Sequence, residues 1–184
     1  LVGFSSLAEL VFSIPMLKVV RQSVLVVLGL LWLCWSPPAI SASSASVTGS
    51  SSAFDNMVLV ETDFRDQNLL TAQFTNVDLS KSIFEGMDLR GSVFNGANLK
   101  GANLKGVDLT NGLAYVSSFQ EANLEDAILA EAIMLRTSFK GAQITGADFT
   151  LAVLDNEQIV ALCEVAAGVN PKTGASTRES LGCL

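Results

Sequence analysis

From Phe54 to Leu154 a large apolar residue falls at every fifth position: Phe54, Leu59, Phe64, Leu69, Phe74, Leu79, Phe84, Leu89, Phe94, Leu99 and onward through Phe149 and Leu154. Of the twenty-one positions in this register only Ala114 is small. All eight Phe residues after Phe12 lie in it, so the repeat is a property of the order and not of the composition. A period of five is neither the 3.6 of an amphipathic helix nor the 2 of a strand, and the chain must therefore turn after each short extended unit. Phe and Leu alternate between residues 54 and 94, which superimposes a weaker period of ten.

The other positions of the unit suit that reading. Two residues before each large one the chain is usually small, as at Ala72, Ala97, Ala102, Ala122, Ala127, Ala132, Ala142 and Ala147. Residues two apart on an extended segment face the same way, so the small and the large residue share the core. Gly86, Gly91, Gly96, Gly101, Gly106, Gly141 and Gly146 lie two after the large residue, where a tight corner favours a residue without Cβ. Asp63, Asn68, Asp78, Asp88, Asn98, Asn103, Asp108, Asn123 and Asp148 directly precede a large residue and are placed to hydrogen-bond the turn backbone. One unit cannot bury its own face, whereas stacked units share a continuous column, as solenoids do.

The units ANLKG at 97–101 and 102–106 and ADFTL at 147–151 follow a motif A-[DN]-[LF]-x-x that resembles the pentapeptide-repeat family over about residues 54–154. The resemblance implies an all-β fold, a right-handed quadrilateral β-helix with four pentapeptides per coil and so five coils. Residues twenty apart then stack, and two Phe ladders, Phe54–Phe74–Phe94 and Phe64–Phe84, face each other across the core. With chain segments ~4.8 Å apart the rod is about 24 Å long.

The motif breaks at GLAYV, residues 112–116, where Ala114 takes the large position and Leu113 replaces Asn or Asp. Phe119 resumes in phase. This predicts either a local bulge, with a neighbouring Tyr or Leu filling the gap, or part of a binding surface. In the same column the position before the large residue runs Ala53, Gln73, Val93, Leu113, Ile133, Val153 and so turns apolar. With Tyr115 and Leu135 these residues form a candidate interaction stripe. The expected arrangement is that the C-terminal segment covers it; left open, it marks an interface. Charges are expected to sort by wall, with Asp63, Asp66, Glu85, Glu125 and Asp126 on one and Lys81, Lys100 and Lys140 on another. The Asp88, Asp108, Asp148 column is a poor calcium site, because flat faces do not bring several oxygens together.

After Leu154 the register ends, and residues 155–184 predict a helical cap. Residues 155–168 read as a helix, with Asp155 and Gln158 as a capping box and Gly168 as its stop. Ile159, Leu162, Cys163 and Ala166 share the face expected to close the solenoid. TRESLG, 177–182, predicts a second short helix. Cys163 and Cys183 are the cysteines beyond the leader, and in an exported chain an even pair predicts a disulfide.

The front of the chain supplies the export signal. Lys18 and Arg21 precede the apolar run VLVVLGLLWLCW (24–35), followed by Pro37, Pro38 and small residues, the order of a secretory signal peptide. Residues 1–45 read as an upstream extension and leader, with Met16 as the expected start and cleavage after Ala42 or Ala45, and residues 46–53 as a linker. The apolar run is shorter than a spanning helix of about 20 residues, so no stable membrane anchor is expected after cleavage. The export signal and the tail LCEVAAGVNPKTGASTRESLGC together resemble the lumenal members of the family, which implies the thylakoid lumen or periplasm.

The 184-residue chain carries 18 acidic and 11 basic residues and no histidine, a net charge of −7. That balance disfavours nucleic acid held through its phosphates, and it predicts a soluble monomer. No motif assembles a catalytic acid, base, nucleophile or cofactor site. The expected function is that of a non-catalytic structural or protein-interaction module with an unidentified protein partner and no cofactor. The alternatives are an acidic DNA-mimic inhibitor of a topoisomerase and a redox-regulated lumenal factor using Cys163 and Cys183.

Overall fold

The computed structural model describes residues 52–183. The leader, its start and cleavage site, and linker residues 46–51 lie outside the described residues.

Residues 53–154 form the predicted right-handed quadrilateral β-helix. Strands β1 (Ala53–Asp55), β2 (Gln73–Thr75), β3 (Val93–Asn95) and β4 (Leu113–Tyr115) make one parallel sheet in the order β1-β2-β3-β4. Their register advances by twenty residues: Phe54 pairs with Phe74, Phe74 with Phe94 and Phe94 with Ala114. The other three walls are joined by single parallel bridges at the same spacing, such as Asp63 with Ile83 and Asn103 with Asn123. Backbone bonds link each coil to both neighbours, for example Leu79 N–H to Asn98 O at 2.7 Å and Asp78 N–H to Met57 O at 2.9 Å. The solenoid begins earlier than the predicted linker boundary, since Ala53 opens β1 and the Ser52 carbonyl accepts from Gln73 N–H. Backbone pairing recruits these residues although their side chains carry no repeat signal.

The every-fifth residues fill the interior. Phe64, Phe74, Phe84, Phe94 and Phe119 are each at most 1% exposed. Rings twenty apart stack at 4.7 Å (Phe54–Phe74 and Phe64–Phe84), while rings ten apart meet edge-on, as Phe74 and Phe84 do at 6.2 Å. Both geometries suit the aromatic quadrupole. Four inward Ser or Thr hydroxyls bond the preceding coil: Ser82 donates to Leu59 O, Ser92 to Leu69 O, Ser117 to Phe94 O and Thr137 to Ala114 O.

The corners follow the predicted chemistry. All nine Asx residues named above accept a hydrogen bond from the backbone N–H two residues on, from Asp63–Arg65 to Asp148–Thr150. The seven corner glycines adopt positive φ, and so do twelve other residues at the same position of the unit. Most are polar, but Val116 takes φ 54° with a β-branched side chain, which this region disfavours.

No bulge forms at Ala114. Strand β4 keeps its register, and Ala114 is fully buried without Tyr115, which lies at the surface. The aromatic volume moves to the next wall: Phe119 meets Phe94 edge-on at 6.4 Å and stacks on Phe139 at 5.7 Å.

The C-terminal cap comprises helices α1 (Asn156–Val165) and α2 (Thr177–Ser180). The Asp155–Gln158 capping box is present. Leu162, Ala166 and Leu181 join the core, with Cys163 and Cys183 packed against it. Helix α1 ends three residues before its predicted stop, because the last coil takes the next carbonyl: Gly146 N–H donates to Ala167 O at 2.8 Å. Gly168 (φ 84°) then turns the chain along the solenoid. Buried Asn170 fixes that path, its Nδ2 donating to the carbonyls of Asp126, Ala127 and Gly146 while its Oδ1 accepts from the N–H groups of Lys172 and Thr173. A disulfide joins Cys163 to Cys183 across 5.6 Å between Cα atoms. Closing a loop of that length contributes ~3 kcal/mol in the chain-entropy picture.

Replacing Phe84 by Ala opens both an intra-ladder and a cross-ladder contact and is expected to cost about 3–5 kcal/mol in urea unfolding. Val116→Gly relieves the left-handed backbone and is expected to raise stability by about 0.5–1 kcal/mol in the same measurement.

Candidate functional site

The four-stranded wall alternates in and out with the period of a strand. Phe74, Phe94 and Ala114 point into the core, so Gln73, Val93 and Leu113 on one side, and Thr75, Asn95 and Tyr115 on the other, point outward. Parallel pairing sets Val93 beside Leu113, Leu113 beside Ile133 and Ile133 beside Val153, which makes an uninterrupted apolar column on the outer surface. Val93 and Leu113 are half-buried; Ile133 is 43% and Val153 46% exposed. The expected cover by the C-terminal segment is not formed. That segment is drawn instead to the corner of Gly106, Asp126 and Gly146, where Lys172 Nζ donates to Gly106 O and Asn170 bonds two further coils.

Beside the column the next outward row carries Tyr115 and Leu135, the first exposed and the second half-buried. The Arg136 guanidinium lies 5.8 Å from the centre of the Tyr115 ring, a cation–π distance, and Arg136 N–H donates to Asp155 Oδ2 at 2.7 Å. Val116, 52% exposed, completes the edge. Arg136 was not among the candidates read from the sequence, although the twenty-residue step that stacks Val116 on Arg136 contains it. The structure thus brings Val93, Leu113, Tyr115, Ile133, Leu135 and Val153 onto one face, and it sets Cys163 and Cys183 apart from them in the cap.

The named acids and the named lysines lie on separate walls, but each wall also carries the opposite charge, Glu61 and Glu121 among the lysines and Lys105 among the acids. Lys81 pairs with Glu61 at 3.0 Å, Lys100 with Glu121 at 3.4 Å and Lys105 with Glu125 at 2.9 Å, each across adjacent coils. Stacking with a twenty-residue step places opposite charges over one another, which lowers surface repulsion. The Asp88, Asp108, Asp148 column is interrupted by Ile128, which bridges to both Asp108 and Asp148.

Several carboxylates are held below their ordinary range. The Arg65 side chain and N–H hold Asp63 at about 2. The Ser80 hydroxyl and N–H lower Asp78, and the Arg90 guanidinium lowers Asp88. Burial pushes Asp148 upward, but bonds from the Thr150 hydroxyl and N–H and from Thr173 outweigh it, and the net shift is downward.

Residues 72–111 and 117–156 match the pentapeptide repeats family in eight copies. The chain is 60% identical over 47 residues to thylakoid lumenal 15 kDa protein 1 of Arabidopsis thaliana, covering 26% of this chain and 21% of that protein. It is 60% identical over 43 residues to Arabidopsis thaliana thylakoid lumenal protein TL20.3, covering 23% of this chain and 15% of that protein. The chain thus aligns with about a fifth or less of the length of these curated relatives. A crystal structure of a pentapeptide repeat protein from the Arabidopsis thaliana thylakoid lumen superposes with a TM-score of 0.68 at 41% identity, covering 70% of this chain and 89% of that one.

Folded-state pKa values below the ordinary 3.8 mean that these aspartates stabilise the fold above that pH and lose the contribution as pH falls through their folded values. With no histidine to titrate, the urea midpoint is expected to hold between pH 7 and pH 5 and to fall progressively from about pH 4 towards pH 2. Circular dichroism across that range checks it.

Proposed function

This chain belongs to the pentapeptide-repeat family; we propose that it resides in the thylakoid lumen or periplasm and acts there as a non-catalytic interaction module whose docking face is the Val93–Leu113–Ile133–Val153 column. One observation carries the reading: the column is apolar over four successive coils, outward-facing and open. Exposed contiguous apolar surface usually marks contact with another macromolecule. Tyr115 with Arg136 at its edge adds the residue types that anchor protein interfaces.

Backbone strain supports the same location. Along this corner Asn56, Asn76 and Gly96 are residue types suited to positive φ, whereas the β-branched Val116 beside the column takes φ 54° against its preference. Strain of this kind collects where a surface is shaped for use. The DNA-mimic alternative is less well supported, because lysines alternate with the carboxylates where a phosphate-like surface would carry only negative charge. The redox alternative rests on the Cys163–Cys183 bond, which lies in the cap away from the column.

The double variant Ile133→Asp with Val153→Asp is expected to unfold within about 0.5 kcal/mol of the wild type, since both side chains are exposed. Photo-crosslinking from position 115, exposed beside the column, in the native compartment is expected to trap a partner that the double variant no longer captures and that a Lys100→Glu control retains. Identical products from all three proteins would refute the assignment.

A further inference from the structure

Helix α1 packs Leu162 and its C-cap Ala166 into the core but leaves a gap beside residues 137–142 of the solenoid. Gln158 Nε2 fastens the start of α1 by donating to Met134 O at 2.9 Å and Thr137 O at 2.5 Å. Beyond this point a groove of about 450 Å³ opens between the helix and residues 137–142. Its floor is apolar: Leu162 from the helix, and Phe139 and Ala142 from the solenoid. Phe139 is 9% exposed and Ala142 8%, whereas Phe119 and Ala122, one coil earlier on the same wall, are 0% exposed. Here the core regains contact with the outside.

The banks of the groove are charged. Glu157 and Glu164 line it from α1, exposed and seven residues apart. That spacing puts both carboxylates on one helix face, separated by about 10.5 Å along the axis. Neither forms an ion pair among the described residues, in contrast to Glu61, Glu121 and Glu125. Lys140 faces them from the solenoid, also without an ion pair among the described residues. An apolar floor under two unpaired carboxylates complements a segment that is both apolar and cationic.

We infer that this groove binds a short peptide segment of a partner protein in which an apolar side chain is flanked by lysine or arginine. The apolar side chain rests on Phe139 and Leu162, and the cationic groups reach Glu157 and Glu164. Lys140 opposes the cations, so the groove discriminates by position along the segment and not by total charge. The site lies in the cap, apart from the apolar column, and the two can be tested separately.

The test uses the mature, disulfide-intact protein and fluorescein-labelled peptide amides of sequence KFLK, with KGGK and EFLE as controls, followed by fluorescence anisotropy. KFLK is expected to bind about tenfold more tightly than either control, and more weakly as salt is raised. Glu157→Gln with Glu164→Gln is expected to weaken it about tenfold. Ala161→Trp, which fills the groove while leaving every charge in place, is expected to abolish it, and Lys140→Ala to strengthen it. Ile133→Asp is expected to leave it unchanged, and each variant's urea midpoint verifies that it is folded. Equal affinity for KFLK and KGGK, undiminished binding by folded Ala161→Trp, or self-association of the protein that displaces the peptide would each overturn the assignment.

Discussion

Every coil must return to register after twenty residues, because only then does each corner N–H meet the carbonyl of the next coil. Bonds such as Leu59 N–H to Asp78 O, Leu79 N–H to Asn98 O and Leu99 N–H to Ser118 O repeat that step along the solenoid. An unpaired buried backbone group costs about as much as a lost hydrogen bond, so an inserted residue would be felt in the neighbouring coils. This explains why the chain tolerates twelve non-glycine residues at positive φ: ten of them donate their N–H to a carbonyl of the following coil. It also explains why Ala114 is accommodated by moving aromatic bulk to Phe119 and not by bulging the strand.

A solenoid built this way has ends, and an open end presents unsatisfied backbone groups and apolar side chains. At the C-terminal end these are met by Leu162, Ala166 and Leu181, by the carbonyl of Ala167 and by the five bonds of Asn170. The disulfide ties α1 to the end of the tail, holding together a cap whose helices are too short to be stable alone. Helix α1 must nevertheless bridge the edge of a square coil with a round surface. The mismatch leaves the groove over Phe139 and Ala142.

The walls differ in what they leave free. Two of them carry lysine–glutamate pairs across adjacent coils and a third stacks Asp88 on Asp108 before Ile128, while the wall of β1–β4 turns apolar from Val93 onward. The tail passes along the Gly106–Gly146 corner because Asn170 and Lys172 find carbonyls there. The apolar column is therefore open to a partner, with Tyr115 and Arg136 at its margin.

Much of this was legible in the residue order. The five-residue period named the inward positions, since only side chains that recur in phase can stack; the Asx and Gly positions named the corners; and the pairing of Cys163 with Cys183 followed from parity in an exported chain. What lay beyond the order of residues were contacts between segments of unlike pattern. The absence of a bulge at Ala114, the lysine–glutamate pairing across coils, the early end of α1 and the route of the tail each depend on which carbonyl or side chain a group finds after the coil has closed. A repeat specifies its own neighbours by translation, whereas the cap meets the rod only in three dimensions, so tertiary structure alone decided which apolar residues are covered and which face water.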